Sequence, residues 1–76
     1  MPRISPTDWK IQTKIFEQFG CIFVRQKGDH LIYHYPNAKR AIVIPKYDEI
    51  PSFVISNNMK TVKMTREEYF NILQNL

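Results

Sequence analysis

Phe19-Gly20-Cys21-Ile22-Phe23-Val24-Arg25-Gln26-Lys27-Gly28-Asp29-His30-Leu31-Ile32-Tyr33-His34-Tyr35 contains two strands and the turn between them. β-branched and aromatic residues crowd both sides of Gly28-Asp29, a two-residue turn signal in which the glycine accepts a positive φ. Residues 21–27 and 30–35 therefore read as neighbouring antiparallel strands. The pleat sends His30, Ile32 and His34 to one face and Leu31, Tyr33 and Tyr35 to the other. Ile22, Phe23 and Val24 are all apolar, so alternation does not say which of them points inward.

Upstream, Ile11, Ile15 and Phe19 recur every four residues, with Trp9 and Phe16 flanking the stripe and Lys10 and Lys14 on the other side. This predicts an amphipathic helix over 7–19, opened by the oxygens of Ser5, Thr7 or Asp8 and stopped at Gly20. Downstream, Pro36-Asn37-Ala38-Lys39 is a turn and 40–44 a third strand closed by Pro45. Pro51 suits a first helical position, and Ile55, Met59 and Val62 predict a short helix over 52–61. Thr65-Arg66-Glu67-Glu68 is a capping box opening a last helix, with Tyr69, Phe70, Leu73 and Leu76 as its inward stripe. The fold class is α+β: an α-β-β-β-α order, as in double-stranded-RNA-binding domains. Helices pack one face of a three-stranded antiparallel sheet, and an extra short helix precedes the last one.

Size and composition limit the functions available. The chain has 76 residues, which predicts one domain spanning 1–76 without room for a cleft between domains. A single cysteine, Cys21, excludes an intrachain disulfide framework and a multi-cysteine zinc site. Apolar runs reach only four residues, as in Ala41-Ile42-Val43-Ile44, far short of the about 20 a membrane span needs. No apolar signal core follows Met1, so a soluble, cytoplasmic chain without membrane contact is expected. The net charge is +4 and unevenly spread: eight basic residues face three acidic ones through Tyr47, and three face four from Asp48 onward. The first two thirds can present a cationic face to phosphates, or simply a solvated basic surface.

Few residues offer chemistry. Gly20 and Gly28 are the only glycines, so no phosphate-cradling loop exists, and no carboxylates stand at metal-ligand spacing. Neither a metal nor a cofactor is expected. Cys21, at the opening of a strand, reads as a small hydrophobe. His30 is the more informative residue, because it follows a tight turn with Arg25 and Lys27 just before it. Metal-free RNA cleavage needs a proton-transfer group, which histidine supplies near neutral pH, and cations that offset charge growing on the phosphate. Arg25, Lys27, Arg40 and Lys46 are candidate cations, with Lys10 and Lys14 as further phosphate contacts. From local chemistry alone, His30 as an ordinary polar residue at a strand edge is the stronger reading, because lone histidines are usually not catalytic. His34 stands about 13 Å further along the strand, too far to share one phosphate with His30. Tyr33, Tyr35 and Tyr47 offer stacking surfaces for unpaired bases or ordinary core filling.

The run from Phe19 through Val24-Arg25-Gln26-Lys27-Gly28-Asp29-His30 resembles the signature of HicA toxins. The turn Tyr35-Pro36-Asn37, the strand Ala41-Ile42-Val43-Ile44-Pro45 and the helix opening at Thr65 follow in matching order. That resemblance implies an mRNA interferase of a type II toxin–antitoxin system, cleaving RNA without the ribosome. It implies His30 as the single catalytic residue, Gly28 as the turn former that aims it, and a HicB-type antitoxin that covers the histidine surface. The chain departs from the family pattern at Cys21, at Asn37-Ala38 in the hairpin, over Ser52-Phe53-Val54-Ile55 at the start of the penultimate helix, and at Lys63, where a glycine usually ends that helix. A non-catalytic RNA-binding module of the same fold is the alternative function.

Overall fold

The computed structural model describes residues 3–76; the first two residues of the expected 1–76 unit lie outside the described residues. The element order is α1 (Trp9–Phe19), β1 (Ile22–Lys27), β2 (His30–His34), β3 (Ile42–Pro45), α2 (Ser52–Val62) and α3 (Arg66–Gln74). The strands form one antiparallel sheet in the order β1-β2-β3. This is the α+β arrangement expected, with the additional helix before the last.

Each helix starts where a side-chain oxygen or a ring constraint allows it. Asp8 caps α1, its Oδ1 accepting from Ile11 N at 2.8 Å. The helix begins at Trp9, later than the predicted residue 7, because Thr7 is engaged elsewhere. Its carbonyl accepts from Ile50 N at 2.7 Å, which bridges the segment before α1 to the segment before α2. At the other end Gly20 takes φ +116°, and its N–H and that of Cys21 close the last turn. Pro51 stands just before α2 rather than at its first helical position, and α2 has no side-chain cap. The helix runs to Val62, making it as long as α1. The capping box at α3 forms as read: Glu68 N donates to Thr65 Oγ1 at 3.1 Å, and Thr65 N to Glu68 Oε1 at 2.9 Å.

The core lies between the inner face of the sheet and the helices. Leu31 and Tyr33 of β2 and Ile42 and Ile44 of β3 meet Ile15 and Phe16 of α1, Ile55 and Met59 of α2, and Tyr69 of α3. Removing Phe16 to alanine would cost about 3–5 kcal/mol, because its ring is wholly buried there. Tyr33 Oη donates to the Glu17 carboxylate, and Tyr35 stacks on Phe19 at 5.4 Å, so both tyrosines serve the packing of sheet on helix. Leu76 departs from the expected stripe. It lies beyond the end of α3 and is 47 % exposed.

β1 is an edge strand, and every one of its residues is exposed. α1 and α2 pack against β3 rather than against β1. The pairing of β1 with β2 slips between Phe23 and Arg25, leaving Val24 as a bulge. Ile22, Phe23 and Val24 therefore all face solvent to about half their area, which explains why alternation could not choose among them. The third strand is shifted from the predicted 40–44. It starts at Ile42 because residues 39 and 40 still form the connection, and it ends on Pro45, opposite His30.

Candidate active site

The β1–β2 turn is the local structure that aims His30. Gly28 adopts φ +58°, a left-handed conformation that a side chain would strain. Gln26 Nε2 donates to Gly28 O at 2.9 Å across the turn. Lys46 N donates to Asp29 O at 2.7 Å, which fastens the turn to the end of β3. His30 thus begins the central strand with neighbours hydrogen-bonded on both sides.

Cross-strand partners share a face of a sheet, so the register gives the layout of the open face. Lys27, His30 and Pro45 form one row across β1, β2 and β3; Arg25, Ile32 and Val43 form the next; Ile22 and His34 pair in the last. Lys27, Arg25, His30 and His34 are all exposed. Among the described residues no acidic side chain is paired with Arg25, Lys27 or His30, so their charges and donors face solvent. His34 sits on the same face as His30 but at the opposite end of β2.

The predicted cations divide into groups. Lys27 stands directly opposite His30, and Arg25 lies one row further along the same face. Lys46 follows Pro45, and its ammonium lies 4.8 Å from the centre of the Trp9 ring, with Lys10 at 5.8 Å from the same ring. Trp9 N in turn donates to Tyr47 O at 3.0 Å, so the start of α1 is tied to the end of the sheet that carries His30. Lys14 is exposed on α1, away from its buried Ile15 and Phe16. Arg40 is exposed in the β2–β3 connection, at the far end of the sheet from His30. Lys27 and Arg25 share the face of His30, Lys46 and Lys10 lie by the Trp9 ring of α1, and Lys14 and Arg40 lie apart.

Cys21 is buried, and burial pushes its thiol up to about 11. At neutral pH it is a protonated core group without nucleophilic character. Among the described residues no three His, Cys, Asp or Glu side chains are grouped so that they could hold a metal ion. Nor, among the described residues, is any helix long and apolar enough to cross a membrane.

Of the three tyrosines considered for base stacking, only Tyr47 remains exposed, and it lies beside His30. Phe53, in the first turn of α2, is a second exposed aromatic there. Its position was not foreseeable from local sequence, because α2 reaches the site by packing along β3.

No curated protein matches the chain. The family model described as the HicA toxin of bacterial toxin–antitoxin systems matches residues 9–64, from the first residue of α1 to just past the end of α2, including the whole sheet and the His30 turn. A match over this much of the chain, on a fold with the expected order and an exposed turn histidine, makes the protein a member of the HicA toxin family, with an antitoxin as its partner.

Proposed function

We propose that the chain is a ribonuclease toxin that cuts mRNA by transesterification, with His30 as its acid–base group. One observation supports this reading above the others. His30 stands exposed at the head of β2, directly opposite Lys27, with no acidic side chain paired to either among the described residues. In the reaction the ribose 2′-oxygen attacks the adjacent phosphorus and loses its proton, while the P–O bond to the next nucleoside breaks and that 5′-oxygen gains a proton. An imidazole within hydrogen-bond reach accepts the first proton or delivers the second. Lys27 and Arg25 offset the charge that builds on the non-bridging oxygens of the phosphate. The scheme draws on no metal.

The exposed β1 edge suits a HicB-type antitoxin. Ile22, Phe23 and Val24 expose apolar area on the strand that carries Arg25 and Lys27. A partner that buried this edge would also cover the cations and the histidine. Expression of the wild-type chain and of His30→Ala in a bacterium tests the reading. Growth arrest with loss of intact mRNA is expected only from the wild type, and rescue is expected on co-expression of the antitoxin. Equal toxicity from both chains would reject the role of His30.

A further inference from the structure

On the side of His30 away from Lys27, the sheet borders a groove. α2 runs beside the outer edge of β3, and Asn58 Nδ2 donates to Val43 O at 3.0 Å, fastening helix to strand. The space between them opens at His30 and is lined by Val43, Tyr47, Phe53, Asn57 and Asn58. Two of these are rings in solvent: Phe53 is 68 % exposed and Tyr47 48 %. Neither belongs to the core cluster, so packing of the fold does not account for them. Two exposed rings lining one groove, with amides and a histidine on its rim, mark a binding surface.

We infer that this groove binds one unpaired nucleobase of a single-stranded RNA, the base next to the phosphate held at His30, with its face on Phe53 and Tyr47 and its edge at Asn57. The inference rests on the nuclease reading and names the part of the substrate that the site grips. Three features of the groove favour a base as its occupant. Aromatic faces stack on any base. An asparagine amide presents one donor group and one acceptor, which is the complement of a base edge, and the Asn57 amide is free to do so while Asn58 Nδ2 is committed to β3. The third feature is the order across the sheet: cations on β1, the histidine on β2, the aromatic groove beyond β3. A nucleotide is laid out in the same sequence, with its anionic phosphate on one side, its flat base on the other and the ribose that carries the reacting 2′-hydroxyl between. A duplex keeps its bases stacked inside and cannot offer one to the groove, so the site selects single strands.

Binding is measured by fluorescence anisotropy, at fixed salt, with a short labelled single-stranded RNA and with a duplex. The protein is the full chain carrying His30→Ala, so that nothing is cleaved. Adding Phe53→Ala or Tyr47→Ala is expected to weaken single-strand binding about tenfold and to leave duplex binding unchanged. Phe53→Trp should retain affinity, because it retains a ring to stack on. Both rings are exposed, so thermal unfolding of these variants should match that of the parent. Unchanged single-strand affinity in both alanine variants would overturn the inference, as would equal losses for single strand and duplex. A loss confined to antitoxin binding would also overturn it and assign the groove to the protein partner. The nuclease reading is scored separately on the chain with His30 intact. If that chain binds as predicted but cuts nothing, the nuclease reading fails and the groove stands; if it cuts while Phe53→Ala binds RNA unchanged, the groove fails alone.

Discussion

Lys63 is the one non-glycine residue among those described with a positive φ, at +59°. It closes α2 in a left-handed conformation, its N–H donating to Lys60 O at 3.2 Å and the next amide, Met64 N, to Met59 O at 2.9 Å. This is the glycine-type helix end built with a lysine. A Cβ in this conformation costs roughly 1–2 kcal/mol, partly offset by the lower backbone entropy of lysine in the unfolded chain. Lys63→Gly should therefore stabilise the fold by about 1 kcal/mol, read as a higher urea midpoint with an unchanged slope. A lower midpoint would show that the lysine side chain contributes more than its backbone costs. Gly20 is the opposite case. At φ +116°, with a built Cβ falling 3.4 Å from Tyr35 Cε1, its conformation belongs to glycine alone.

Among the elements, α1 and α3 are joined by a buried polar contact. Gln12, 1 % exposed, donates through Nε2 to Thr7 Oγ1 at 2.8 Å and to Tyr69 Oη at 2.9 Å. Gln12→Ala should cost about 1–3 kcal/mol by leaving the Tyr69 hydroxyl without its buried partner. The addition of Tyr69→Phe to that variant should restore part of the loss, and a double-mutant cycle in urea measures the coupling. Additive losses would show that the two groups do not support each other.

The same contact shows where sequence reading stops. The Thr65–Glu68 capping box, the Gly20 stop and the Gly28 turn were legible because each is set within a few residues by local chemistry. Gln12 carries no local signal, because the hydroxyl that makes its burial tolerable comes from residue 69. The exposure of Ile22, Phe23 and Val24 likewise follows from strand order and from helices packing on β3, neither of which local composition contains. At the candidate site, the tight turn before His30 and the nearness of Arg25 and Lys27 in sequence were legible, while the register that sets Lys27 opposite His30 comes from the sheet. The groove did not, because Phe53 reaches His30 only through the packing of α2 along β3.

For the molecule as a whole, the buried acidic protons set an alkaline limit on stability. Burial raises the Cys21 thiol from its ordinary 9.0 to about 11. Tyr33 is raised by burial and by its hydrogen bond to Glu17, and Tyr69 by burial. The folded chain keeps these protons at pH values where the unfolded chain has released them. Their contribution is therefore complete below about pH 9 and is lost as pH rises through 9 to 11 and beyond. The urea midpoint should fall steadily over that window, and Cys21→Ala should flatten the earliest part of the fall. A midpoint unchanged up to pH 11 would contradict the burial assigned to these groups.

The distribution of charge and the fold meet at one end of the sheet, where a histidine, two cations on its own face and two exposed rings surround the place a ribose–phosphate linkage would occupy. Cleavage of a single-stranded RNA by the purified chain, run in EDTA, tests this directly. The wild type should cut, and His30→Ala should be slower by about 10²–10⁴ while still binding the RNA. Cleavage at the same rate by His30→Ala, or cleavage abolished by EDTA in the wild type, would contradict the account.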